Sequence, residues 1–133
     1  MNSESSQTTI NAQGKMLGRL ASRVAYLLQG KNLPAYRPER RESAMLTVYN
    51  VDQVGLSGKK AAYGVRIHHS GYPGGLKRIS VKKILEKDPR ILLRRAVHGM
   101  LAHNRLRSRL MRRLTLLRGS LEKSQDKKFD KNP

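Results

Sequence analysis

Four histidines, nine carboxylates and eleven serines are the side chains of this 133-residue sequence whose types could do chemistry. There is no cysteine, which removes thiolate zinc sites, cysteine nucleophiles and disulfides at once. His68 and His69 are adjacent, and neighbours on a strand point to opposite faces, so they cannot easily share one metal. His98 and His103 are five apart, which misses the i,i+4 spacing of helical zinc ligands. Polar or phosphate-contacting roles suit all four better, and no metal site is expected. Ser70 follows His69, but a triad needs a third member that the sequence does not offer. The acids (Glu4, Glu39, Glu42, Asp52, Glu86, Asp88, Glu122, Asp126 and Asp130) fall mostly in loops or tails, and no pair is spaced as a general acid–base dyad. Gly14-Lys15 and Gly58-Lys59 lack the spacing of a phosphate-binding P-loop, and no GxGxxG follows the first strand. The sequence therefore predicts no catalysis, no cofactor and no small-molecule substrate.

The bases carry the information instead. Lys and Arg total 28 against 9 acids, a formal charge of +19, or one surplus positive charge for every seven residues. A domain of this length has a radius of gyration of roughly 14 Å. So much like charge on so small a body repels itself, and a polyanion would relieve it. The acids are also withheld in blocks. None lies between Glu4 and Glu39, between Asp52 and Glu86, or between Asp88 and Glu122, and the last window holds nine Arg. A solvated salt-bridged surface would intersperse the signs. These bases are set out for phosphates supplied from outside. Arg outnumbers Lys by 16 to 12, and its planar fork can grip a phosphate through two hydrogen bonds.

Five Tyr and one Phe are too few for an aromatic platform that reads single strands. Tyr72, set in a glycine loop among bases, is the exception that could stack on a nucleotide. The cluster Gly71–Gly75 reads equally as backbone brought close to something flat and charged or as a plain surface turn. No apolar run approaches the ~18 residues of a membrane span, and Met1 to Gln7 is too polar for a leader. A cytosolic chain without membrane contact is expected.

The elements that must position these bases follow from periodicity. Residues 7–12 lean to a strand. Leu17, Leu20, Ala21, Val24, Leu27 and Leu28 recur at helical spacing, with Gly30 as the stop and Arg19, Arg23 and Tyr26 on the outer face. Residues 31–43 read as a loop, and 45–51 as a strand covered on both faces. Residues 63–68 alternate as a strand with one basic, solvent-leaning face, and 70–77 form a tight loop. Ser80 caps a short helix carrying Val81, Ile84 and Leu85. Pro89 opens a longer helix with Leu93, Ala96, Val97, Met100 and Leu101 inward and Arg94, Arg95 and His98 elsewhere. A basic segment holding Leu106, Leu110 and Leu114 four apart leads to a closing strand at 114–118. Strands alternating with helices predict an α/β domain with a largely parallel sheet. Residues 1–6 are expected to be disordered, 7–120 to form one domain, and 121–133 to be a polar, lysine-rich, flexible tail.

Several motifs in one register resemble a known family, the universal large-subunit ribosomal protein numbered thirteen in its bacterial form. Gly14-Lys15-Met16-Leu17-Gly18-Arg19-Leu20-Ala21-Ser22 is similar to the family's opening motif, and Gly30-Lys31, Pro34, Tyr36, Pro38 and Asn50 continue it. Gly58-Lys59-Lys60 follows. The string His69-Ser70-Gly71-Tyr72-Pro73-Gly74-Gly75-Leu76-Lys77 matches the family loop residue for residue, and Ala96-Val97-His98-Gly99-Met100-Leu101 resembles a further motif, with Asn104 in step behind it. The likeness runs from about Ile10 to Gly119. Departures stand at Asn11, where an acid is usual, at Arg41 to Ala44, at Ala102 in place of proline, at Ser108 in place of glycine, and in the missing closing HPH motif.

The resemblance implies a three-layer α/β/α fold around a four-stranded, mostly parallel sheet, with basic loops. It also implies a structural, non-enzymatic role on the ribosome: binding large-subunit ribosomal RNA beside neighbouring large-subunit proteins, and supporting subunit assembly and translation. By match, the RNA contacts are Lys15, Arg19, Lys59, Lys60, then His69, Ser70, Tyr72, Gly74, Gly75 and Lys77 of the loop, and Arg105, Arg107, Arg109, Arg112 and Arg113. Arg23 on the outer helical stripe, Lys31 after Gly30, and Arg94 and Arg95 off their helix's core stripe join that set. No homo-oligomer is expected. A DNA-compacting or general nucleic-acid chaperone is the alternative that charge alone allows. A nuclease would need an acid cluster that is absent from the sequence.

Overall fold

The computed structural model describes residues 7–39 and 45–121. The expectations for residues 1–6, for Arg41 to Ala44 and for the tail beyond Leu121 lie outside the described residues.

Three parallel strands make the central sheet: β1 (Gln7–Asn11), β2 (Met45–Tyr49) and β5 (Leu114–Leu116), in the order β1-β2-β5. Parallel neighbours need a crossover, and α1 (Leu17–Leu28) supplies it between β1 and β2. The middle position of β2 explains its apolar run, because Leu46, Thr47 and Val48 are all buried. Its register sets Ile10 beside Val48, and Leu46 and Val48 beside Leu114 and Leu116, so one face of the sheet is aliphatic. Leu20, Ala21, Val24 and Leu28 of α1 and Leu93 and Val97 of α4 (Pro89–Met100) join those residues in one core.

Local signals set the helix ends. Gly30 takes φ +73° just past α1, and its N–H reaches the Leu27 carbonyl at 3.0 Å. Ser80 Oγ accepts from the Lys83 N–H at the start of α3 (Val81–Lys87). Asp88 does the same for α4, its Oδ1 accepting from Arg90 N–H at 3.0 Å, while the Arg90 guanidinium grips the carboxylate through Nε at 3.0 Å and Nη2 at 2.9 Å. That grip holds the Asp88 carboxyl below its usual 3.8, with burial opposing and the backbone N–H and the charges of Arg90 and Arg118 assisting. A depressed carboxyl contributes stability above its unfolded pKa and loses it as pH falls through the folded value. Asp88→Ala is accordingly expected to cost about 1 kcal/mol near neutrality. The difference should shrink once pH drops below the ordinary carboxylate range, as thermal unfolding of both proteins across that range will show.

The sheet departs from expectation. The fourth strand was expected within one parallel sheet, but β3 (Val65–His69) pairs antiparallel with β4 (Leu76–Ser80) as a separate hairpin. The short connection between them forces this, since a parallel pair needs a crossover of a dozen residues or more. Gly71 and Gly74 take φ +87° and +73° and turn the chain back. Leu76 and Lys77, expected in the loop, open β4, and Tyr63, expected to begin a strand, ends the short helix α2 (Lys60–Tyr63). Neither face of the hairpin is packed: Val65 and Ile67 are 53% and 58% exposed. Of the residues expected on the core stripe, Met100 is exposed, whereas Leu101, one residue past α4, is buried as expected.

The mixed α/β architecture is as expected. Where helices on both faces of the sheet were anticipated, α1 and α4 cover the aliphatic face, whereas Thr9 and Thr115 on the other face are exposed. The last helix, α5 (Leu106–Arg112), turns Leu110 and Met111 onto the core and leaves Arg109 and Arg112 exposed. No helix among the described residues is long and apolar enough to cross a membrane.

Candidate nucleic-acid interface

The start of α1 and the segment 55–60 are about forty residues apart in sequence and adjacent in space. A bridge joins Met16 to Gly55, with Leu17 N–H on the Gly55 carbonyl and Gly55 N–H on the Lys15 carbonyl, both at 2.9 Å. Arg19 and Lys60 therefore line one open hollow of about 430 Å³, with Gly18, Leu56 and Ser57 between them. Lys15 and Lys59 flank it in the chain. No acid stands in the first turn of α1, and Met16 offers no side-chain cap, so the positive end of the helix dipole adds to these charges. Lys15, Arg19, Lys59 and Lys60 form no ion pair among the described residues. Basic side chains without acids beside an uncapped helix start suit a bound phosphate.

Arg19, Arg23 and Tyr26 follow one another up the exposed face of α1, at helical spacing. Twelve residues of helix span about 18 Å. At the far end, Tyr26 Oη donates to the Lys31 carbonyl at 3.1 Å, and a second hollow opens where Lys31 meets Arg109 of α5. Asn11 and Asn50 fasten the sheet behind this helix. Asn50 takes a left-handed φ of 57° and its Nδ2 donates to Asn11 Oδ1 at 3.1 Å. Asn11 Oδ1 also accepts from Gln13 N–H at 3.0 Å, so the asparagine makes the acceptor contacts that an acid at this position would make.

The loop 70–75 forms the tip of the hairpin, away from both hollows. Gly71 N–H donates to His69 Nδ1 at 2.9 Å, and Gly75 N–H to the Tyr72 carbonyl at 2.9 Å. A Cβ on Gly75 would collide with Ser70 Oγ, so this glycine is required by close approach and not by solvent exposure alone. Tyr72 is 75% exposed and free to stack. His69, Ser70, Gly74 and Lys77 are exposed around it, with Gly75 half-buried.

The remaining expected contacts scatter. Arg94 borders a hollow shared with Asp88 and Arg90, where an acid already partners one base. Arg95, Arg105 and Arg112 are exposed on their own elements. Arg107 is half-buried and turns its Nη1 toward the His98 carbonyl at 3.5 Å, so part of its hydrogen-bonding capacity is spent inward. Arg113 is half-buried too, and its carbonyl accepts from Leu46 N–H at the start of the β2–β5 pairing.

Residues outside the expected set of RNA contacts also join the surface. Tyr36 and Asn104 line the hollow with Lys31 and Arg109, and Arg66 and Arg78 lie along the hairpin. The Arg66 Nε is enclosed and unpartnered among the described residues. The alternation of residues 63–68 already sets Arg66 on a basic face, whereas Arg78 emerges only from the pairing of β3 with β4. Among the described residues no three His, Asp or Glu gather to hold a metal.

Comparisons with known proteins find relatives along most of the chain. The family model described as Ribosomal protein L13 matches residues 6–123. A protein of Caldanaerobacter subterraneus subsp. tengcongensis, named large ribosomal subunit protein uL13, is 43% identical over 122 residues, covering 92% of this chain and 85% of that one. The proteins of the same name from Pelobacter propionicus and Clostridioides difficile are 43% and 41% identical over 111 residues, in each case covering 84% of this chain and 78% of the relative.

Proposed function

The chain belongs to the ribosomal protein L13 family, and from that membership we infer that it is a non-enzymatic structural constituent of the large ribosomal subunit, held there by large-subunit ribosomal RNA. The observation that carries the RNA contact is the convergence of bases from separate sequence segments around α1: Lys60 and Arg19 in the hollow at its start, Arg23 on its exposed face, and Lys31 and Arg109 in the hollow just past its end, with no acid lining either hollow among the described residues. Bases so placed neutralise phosphates from more than one RNA segment and fix their relative positions, which is how such a protein supports assembly. The hairpin loop 69–77, Arg94, Arg95 and the arginines of α5 extend contacts to further segments. Neighbouring large-subunit proteins are the partners suited to Val65, Ile67 and Leu76, which share one exposed apolar face of the hairpin. The protein works as a single copy within cytoplasmic ribosomes, its residues 7–120 forming the domain and its lysine-rich end adding charge.

Sedimentation of cell lysate through sucrose gradients at low and high salt tests this reading. The protein is expected to stay with large subunits through the high-salt wash. Release into the light fractions would instead favour a loosely bound nucleic-acid chaperone, whose affinity rests on charge alone and collapses with salt.

A further inference from the structure

We propose that the hollow between α5 and the segment following α1 receives one unstacked base of the bound RNA, whose flanking phosphates lie on Lys31 and Arg109. The proposal rests on the RNA-binding reading above and adds a site to it.

The hollow is a concave pocket of about 160 Å³. Tyr36, Leu106 and Leu110 give it apolar walls, including one aromatic ring for a base to lie against. Two residues with side-chain amides, Gln29 and Asn104, line it. Asn104 Oδ1 is already committed, accepting from Leu106 N–H at 3.1 Å at the start of α5, so its Nδ2 hydrogens remain for an incoming acceptor. A pocket that is mainly apolar, with a few fixed polar groups, is built to select a flat heterocycle and not a bare phosphate. Lys31 and Arg109 bring positive charge to its lining, and the Arg19–Arg23–Tyr26 stripe of α1 leads a phosphate backbone toward it. Among the described residues no acid lines the pocket, and Glu39 borders only the neighbouring hollow that shares Tyr36. A wholly duplex RNA could not fill it, because its bases are stacked and paired. The site therefore selects an unpaired nucleotide in a loop or bulge.

The test uses the full chain and a protein-free transcript of large-subunit ribosomal RNA. Affinity is measured across a salt series, and base reactivity is mapped by chemical probing. Ala102→Phe fills the pocket without changing charge, and Tyr36→Ala removes its aromatic wall; both positions are exposed, and circular dichroism confirms folding. Each variant is expected to bind about tenfold more weakly, the worth of one stacked base, with the salt slope unchanged. Each should also lose protection at the same single unpaired nucleotide and keep it elsewhere. Lys31→Gln with Arg109→Gln should instead lower the salt slope by about two. Full protection and wild-type affinity in Tyr36→Ala would overturn the base site while leaving RNA binding intact. Failure of the wild-type protein to bind the transcript would overturn both.

Discussion

Replacing Arg19 and Lys60 together by glutamate is expected to lower affinity for large-subunit ribosomal RNA on the order of a hundredfold or more, since a hydrogen bond to a charged group contributes ~1.5–3 kcal/mol and two are lost. The same substitution should leave the fold intact or slightly firmer. Both side chains are exposed and form no ion pair among the described residues, so their positive charge works against the folded state in isolation. Binding and thermal stability should thus move in opposite directions. Salt titration of binding with thermal unfolding of the free protein checks this. A parallel fall in both would mean that the two bases brace the Met16–Gly55 junction and do not contact RNA.

The second large effect is on folding. Leu93 is fully buried where α4 meets α1, and its truncation to alanine removes contacts from both helices and from the sheet beneath. Leu93→Ala is expected to cost ~2–5 kcal/mol, out of the ~5–15 kcal/mol that such a domain holds in total. The melting temperature should fall by on the order of 10 °C. Adding RNA should recover part of the loss, because a ligand that binds only the folded chain stabilises it by mass action. Calorimetry with and without the transcript measures both terms. A loss under 1 kcal/mol would mean that the core is not centred on this contact.

Elements with a buried face were legible in the sequence. The stripes of α1 and α4, the run of β2 and the caps at Ser80 and Asp88–Pro89 were readable because burial on one side imposes a period on the residues. The hairpin lacked that pressure. With both faces exposed, Leu76 to Ser80 shows no alternation that marks a strand, and its partner was assigned to the wrong sheet. The bases themselves were visible one by one, and family resemblance marked most of them. Their grouping was not, because Lys60 reaches Arg19 only through the Met16–Gly55 bridge, and Lys31 reaches Arg109 only once α5 has docked. The pocket holding Tyr36 and Asn104 is likewise a product of tertiary packing.

The pairing of β2 with β5 has a consequence for the order of synthesis. Leu46 and its strand partner Leu114 are 68 residues apart, and both belong to the core. While the chain is being made, β1, α1 and β2 emerge first and wait, their central strand lacking one neighbour until Leu114 to Leu116 have left the exit tunnel. During that interval the growing chain carries most of its positive charge on an unfinished fold, beside the RNA of the ribosome that is translating it. The last strand therefore sets the moment at which a nascent polycation becomes a building block.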